Sequence, residues 1–145
     1  MSDTKNKVFE DEFMEVQSDL ISLCMEFLGE NEVDKIYAYC SIEGKAYSFN
    51  AFFGTDSGIK MITEIESNMR RAVQFLRTGC HDLEKIKEVC TKYEKPIPTE
   101  IKMYYDVKTG KFNADYKYEP MCIDKSAGEL FDEWKTEIKQ RLGYA

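Results

Sequence analysis

Residues 101–119 read IKMYYDVKTGKFNADYKYE, two alternating, aromatic-rich runs on either side of a Lys-Thr-Gly-Lys turn, and this pattern predicts a β-hairpin. One parity holds Ile101, Met103, Tyr105, Val107, Phe112, Ala114, Tyr116 and Tyr118. The other holds Lys102, Tyr104, Asp106, Asn113, Asp115, Lys117 and Glu119. Successive strand side chains point to opposite faces, so the hairpin has an apolar face suited to a core and a polar, acidic, tyrosine-bearing face suited to a partner. None of these residues forms a catalytic grouping.

The same alternation occurs earlier. Residues 35–42 and 46–53, separated by Glu43-Gly44-Lys45, predict a first hairpin in which Ile36, Ala38, Cys40 and Ile42 share a side with Tyr47, Phe49, Ala51 and Phe53. A turn-forming GTDSG segment follows, and residues 59–62 supply a third strand. Elsewhere the spacing is helical. Phe9, Phe13, Val16, Leu20, Leu23 and Phe27 recur at steps of four and three, which predicts an amphipathic helix ended by Gly29. Thr63 and Glu66 have capping-box spacing ahead of a long apolar series from Ile65 to Tyr93. One straight helix of that extent would run about 43 Å at 1.5 Å per residue, so a bend at Thr78-Gly79 is expected. Pro96 and Pro98 stop it. Ser126 and Glu129 make a second capping box, and Leu130, Trp134, Ile138 and Leu142 stripe a last helix closed by Gly143. The order is helix, three strands, long helix, two strands, helix. That is an α+β fold with one antiparallel sheet of about five strands and helices packed mainly on one face. At 145 residues, a single domain over 1–145 is the expected organisation.

Twenty-seven acidic against 20 basic residues give a net charge of −7, which disfavours nucleic acid or an anionic membrane as a partner and favours a basic protein. A hydrophobic content of 43% argues against intrinsic disorder. Cys24, Cys40, Cys80, Cys90 and Cys122 are widely spaced and form no Cys-x-x-Cys pair, so they read as buried reduced thiols. The N-terminal MSDTKNKVFEDEF has no apolar stretch of the kind a secretory signal needs, and no run approaches membrane-spanning length. A cytoplasmic location is the expectation.

Chemistry is sparse. His81 is the one histidine, which excludes His-pair metal sites and leaves a Cys80–His81 nucleophile pair, or paired carboxylates, as the enzymatic reading. Neighbouring positions on a helix point about 100° apart, so a surface histidine beside a core thiol is the preferred reading. Asp124 to Glu129, DKSAGE, departs from a calcium loop: its glycine is fifth, not sixth, and Lys135 stands where the bidentate acid belongs. No phosphate-binding glycine loop or basic–aromatic patch is present, so no cofactor is expected.

The second sheet face is what remains. By parity it gathers Tyr37 and Tyr39 of the first hairpin with Tyr104, Asp106, Asp115 and Glu119 of the second, and these six are the candidate partner-binding residues. Two readings stay open: a partner covers this face, or a helix does and the tyrosines are packing.

The hairpin KIYAYCSIEGKAYSFNAFF, the helix ending in TKYEKPIP, and above all GKFNADYKYE followed by a C-terminal tryptophan helix resemble the YezG-type immunity proteins of bacterial polymorphic toxin systems. The likeness spans residues 13–142 and is tightest at Gly110-Lys111-Phe112, Asp115-Tyr116 and Tyr118-Glu119. Ile97 and Pro98 stand where family members often carry a tryptophan after the proline. The resemblance implies a small antitoxin that binds and blocks a cognate toxin domain, typically a nuclease, without catalysis of its own. A small acidic secretion chaperone or adaptor is the alternative, and an enzyme using Cys80 and His81 the third.

Overall fold

The computed structural model describes the backbone of residues 2–143 and the side chains of residues 7–143. Its first element, α1 (Ser2–Leu28), turns the four-and-three apolar spacing into one buried face: Val16, Leu20, Cys24 and Phe27 are enclosed, while Asp11, Glu15, Ser18 and Glu26 face solvent. It stops at Gly29, whose N–H reaches the Met25 carbonyl at 3.2 Å.

Two hairpins and a short edge strand make one sheet. β1 (Lys35–Glu43) pairs with β2 (Ala46–Thr55) so that Ile36 faces Phe53, Ala38 faces Ala51 and Cys40 faces Phe49. β3 (Gly58–Met61) covers only residues 52–55 of β2. β4 (Glu100–Asp106) and β5 (Phe112–Lys117) form the C-terminal hairpin, with Ile101 against Tyr116, Met103 against Ala114 and Tyr105 against Phe112. Because β4 also pairs with β1, the order is β3-β2-β1-β4-β5, antiparallel throughout. Both hairpins thereby collect their apolar parity on one face, as the alternation predicts.

The long apolar series divides elsewhere than expected. α2 (Ile62–Ile65) is a single turn, and α3 (Met69–Lys92) is a separate helix begun by Asn68, whose Oδ1 accepts the Arg70 and Arg71 N–H groups at 3.0 and 3.4 Å. Glu66 does not complete a capping box with Thr63. It accepts the Asn68 N–H at 3.0 Å and pairs with Arg71 at 2.9 Å, leaving Asn68, a side chain well suited to the role, as the cap. Nor does Gly79 divide the helix, since α3 runs unbroken through it for about 36 Å. The glycine serves packing: a Cβ there would lie 2.1 Å from the Phe49 ring, so only glycine lets α3 settle this closely on β2.

α1 and α3 cover the apolar face. Phe27 of α1 stacks on Phe75 of α3 with ring centroids 4.3 Å apart, Phe75 meets Phe49 edge-on at 5.4 Å, and Leu83, Ile86, Ile101 and Met103 are fully enclosed. Each such side chain contributes roughly 1.5–3 kcal/mol by leaving water. Among the described residues no helix is long and apolar enough to cross a membrane.

Candidate functional site

A helix crosses the sheet face on which the sequence places the partner-binding candidates. α4 (Ala127–Arg141) begins at Ser126, whose Oγ accepts the Glu129 N–H at 3.1 Å, as the capping-box spacing predicts. Phe131, Trp134 and Ile138 recur at steps of three and four and are all buried against the sheet. Trp134 meets Phe52, Tyr104 and Tyr37 edge-on, with centroids 5.0, 5.6 and 6.0 Å away, and Tyr37 stacks on Phe52 at 4.7 Å. Tyr37 and Tyr39 are consequently 2% and 1% exposed. Of the two readings left open for this face, the helix-covered one holds for both tyrosines. They are core residues, and the expectation that they contact a partner is corrected: a partner reaches neither while α4 is in place.

Tyr39 also anchors a buried charge. Its hydroxyl donates a 2.5 Å hydrogen bond to Glu100, which is 3% exposed and lies 3.9 Å from the Lys102 ammonium. Burial, and then this bond to a carboxylate, push the Tyr39 hydroxyl well above the usual tyrosine range, so it stays protonated and keeps donating.

The other four candidates lie at the C-terminal hairpin. Tyr104 is half-buried beneath Trp134, and burial together with the nearby Asp115 raises its pKa. Asp106 holds the turn: its Oδ1 accepts the Lys108 and Thr109 N–H groups at 3.0 and 3.1 Å, and Lys35 lies 3.5 Å from its other oxygen. Those bonds, Thr109's first, keep its carboxyl below the usual range. Gly110, at φ +76°, lets the chain close this turn with its N–H on the Asp106 carbonyl at 2.8 Å. Asp115 and Glu119 are exposed, Asp115 opposite Lys102 in the ladder. The adjoining cleft, about 180 Å³, is lined by Lys35, Lys111 and Arg141 against a single carboxylate, Asp106. The surface here is of mixed charge and not the acidic patch that parity suggested.

Cys80 and His81 engage different partners. The Cys80 thiol donates to the Tyr47 carbonyl across 3.8 Å, while His81 Nδ1 lies 3.6 Å from Glu84. Burial raises the Cys80 pKa, the reverse of what a thiolate nucleophile requires. All five cysteines are free, and burial pushes Cys24 up to about 12 and Cys90 up to about 11. Cys122 departs from the expected burial. It is exposed, in a loop whose Met121 and Cys122 N–H groups are held by the Glu43 carboxylate at 3.0 and 2.8 Å. Among the described residues no group of three or more His, Cys, Asp or Glu is placed to hold a metal ion.

Reading the charge as a bulk property missed where it sits. Residues 8–34 contain nine acidic residues and no lysine, arginine or histidine, so the rest of the chain holds 18 acidic and 20 basic side chains. The molecule is a strongly acidic segment on a nearly neutral body. Glu12 and Asp34 are tied to Lys92 and Lys108 at 3.2 and 3.1 Å, whereas the other seven are exposed. Asp11, Glu15, Asp19 and Glu26 share the solvent face of α1, and Val8, Met14 and Met25 are 42%, 40% and 41% exposed among them. The signal was available as a long run without a single base.

No protein-family model matches the chain, and no curated protein gives a significant match.

Proposed function

We propose that this chain is an immunity protein, a non-catalytic stoichiometric inhibitor of a bacterial toxin domain, and that it meets its toxin with the outer face of α1. The charge polarity carries the reading. A nuclease toxin must present a basic groove to its substrate, and the carboxylates from Asp11 to Glu26 form a row about 22 Å long that complements such a groove. Steering by opposite fields speeds association and blocks the groove to nucleic acid. Val8, Met14 and Met25 add apolar contact within the charged surround, the composition of an interface centre.

The spacing argues in the same direction. Asp11, Glu15 and Asp19 stand four apart, and each like-charge step of this kind costs a helix about 0.2–0.5 kcal/mol. Among the described residues none of these three carboxylates is in an ion pair that would repay that cost. The resemblance of the C-terminal hairpin and tryptophan helix to YezG-type immunity proteins supports the class of function. In this reading both sheet faces are structural, and Asp115 and Glu119 lie at the rim of any interface.

Co-expression with the toxin encoded by the neighbouring gene tests it. Growth should be restored, and the two proteins should co-purify as a defined complex with the toxin folded. Loss of both results would sink the proposal, and capture of an extended, unfolded segment in place of a folded domain would favour an export chaperone.

A further inference from the structure

The two ends of the sheet are guarded differently. At one end β3 is only four residues long, and the stretch of β2 that it leaves uncovered is occupied from within the fold. The Tyr47 carbonyl accepts the Cys80 thiol, and the Ala51 N–H is held by the Asn50 Oδ1 at 2.8 Å. A short strand and engaged backbone groups keep that edge from pairing. At the other end β5 runs in register with β4 from Phe112 to Lys117, with no bulge and no proline.

The bonding parity of β5 follows from its neighbours. In an antiparallel sheet, successive residues of a strand bond alternately to the strands on its two sides. The Ile42 N–H reaches the Thr99 carbonyl and the Val107 N–H the Asp34 carbonyl, both at 2.9 Å, so the odd-numbered residues along β4 bond to β1. The Asp106 N–H reaches the Lys111 carbonyl at 2.9 Å, so the even-numbered ones bond to β5, where their partners are Asn113, Asp115 and Lys117. Phe112, Ala114 and Tyr116 therefore turn their N–H and C=O groups outward, and among the described residues no other segment bonds to them. The chain that leaves β5 does not cover them. It crosses back to β1, where Glu43 holds the Met121 and Cys122 N–H groups.

An open edge takes another strand edge, and β5 matches itself. In an antiparallel pair centred on Ala114, Phe112 of one copy stands opposite Tyr116 of the other and Ala114 opposite Ala114, each pair exchanging both of its N–H···O bonds across a two-fold axis. On the face under α1 the reciprocal pairs are aromatic, and alanine, the smallest side chain of the strand, sits on the axis. On the solvent face Asn113 meets Asp115 twice, an amide against a carboxylate, and the carboxylate never meets its own copy. Like charges face each other only at the two ends, where Lys111 stands opposite Lys117 and limits the affinity.

We infer that the chain self-associates reversibly as a two-fold dimer through the free edge of β5, joining two five-stranded sheets into one. The carboxylate row of α1 stays outside this contact. Gln17, whose Oε1 accepts the Tyr116 hydroxyl at 2.8 Å, marks the side of α1 nearest β5. Asp11, Glu15, Asp19 and Glu26 lie about 120–180° around the helix from it. The dimer therefore stands or falls independently of what α1 binds.

Residue-resolved amide hydrogen exchange of the full chain over a concentration series, with sedimentation velocity alongside, tests the inference. The wild-type chain should dimerise reversibly, and the Phe112, Ala114 and Tyr116 amides should gain protection in step with the dimer, while those of Asn113 and Asp115 are protected at every concentration. Ala114→Pro removes an N–H that β4 does not use, so the monomer should still fold, as circular dichroism checks, while dimerisation weakens at least about tenfold. Lys117→Glu sets opposite charges against each other at both ends and should tighten the dimer at least about threefold. A wild-type chain that stays monomeric throughout, a dimer in which the three amides exchange as fast as in the monomer, or a Lys117→Glu chain that dimerises no better would each overturn it. So would protection that appears only when the toxin domain is added, which would assign the edge to an extended segment of the toxin.

Discussion

On one side of the sheet, Ile36, Ala38, Cys40, Phe53, Ile101 and Met103 lie under two long helices; on the other, Tyr37, Tyr39, Phe52 and Tyr104 lie under the 15 residues of α4. The first face excludes water with side chains that have nothing to offer it. The second does so with rings that carry polar tips, and it must place them, as the Tyr39–Glu100 bond shows. A tyrosine is equally suited to a protein interface and to a core that satisfies its hydroxyl. The contrast teaches that aliphatic alternation specifies burial, whereas tyrosine alternation specifies only a shared face. What decided the matter was one tryptophan on one helix.

The largest expected effect separates a true second core from a loose cover. Trp134→Ala should cost about 3–5 kcal/mol, as much as Ile86→Ala on the opposite face at about 2–5 kcal/mol. Equilibrium denaturation with urea measures both. A loss below about 1 kcal/mol for Trp134→Ala, a value typical of surface changes, would mean that α4 lifts easily and would return Tyr37 and Tyr39 to the list of contact residues.

A smaller effect probes how tightly the first face is packed. Gly79→Ala gains about 0.8–1 kcal/mol of helix propensity, but the new methyl meets the Phe49 ring, and overpacking of that kind costs about 1–3 kcal/mol or more. The variant should be less stable by up to about 2 kcal/mol once the two are combined. A more stable protein would show that α3 does not approach β2 as closely as the structure has it.

The smallest effect belongs to the loop that leads into α4. Glu43 has a lowered pKa, first from its bond to the Cys122 side chain and further from the Cys122 and Met121 N–H groups. Because the folded value lies below the unfolded one, this stabilisation is fully present above the ordinary carboxylate pKa of about 4.3 and disappears as pH falls through the folded value. The amide resonances of Met121 and Cys122 should therefore titrate with a midpoint below that of a free glutamate. A midpoint at or above it would contradict the contact.

How much of this was legible in the sequence varied with the chemistry of each signal. Both hairpin registers followed from alternation because a one-residue slip would turn Met103 and Ala38 to the wrong face. The Ser126 cap followed from spacing. The break in the long helical series was misplaced because Gly79 was taken as a flexibility signal when its function is close approach, and because Asn68 outcompeted Thr63 as a cap. Asp106 looked like a partner-facing carboxylate, yet its Oδ1 holds the turn two and three residues on, a local role that parity cannot register. The acidity was counted correctly but averaged over the chain, which hid its confinement to residues 8–34.

The central claim is that the partner meets the carboxylate row on α1 and not the sheet, and the association rate with the purified toxin domain tests it most directly. Asp11→Lys/Asp19→Lys puts basic side chains four residues either side of Glu15, turning two repulsive steps into attractive ones against one attractive step, Lys7 to residue 11, made repulsive, so the helix should form about as well as before. At low ionic strength this variant should associate at least about tenfold more slowly than the wild-type chain, with the gap narrowing as salt is added, while Asp115→Lys/Glu119→Lys should associate at nearly the wild-type rate. A normal rate for the α1 variant beside a slowed hairpin variant would contradict the account and place the interface at β5.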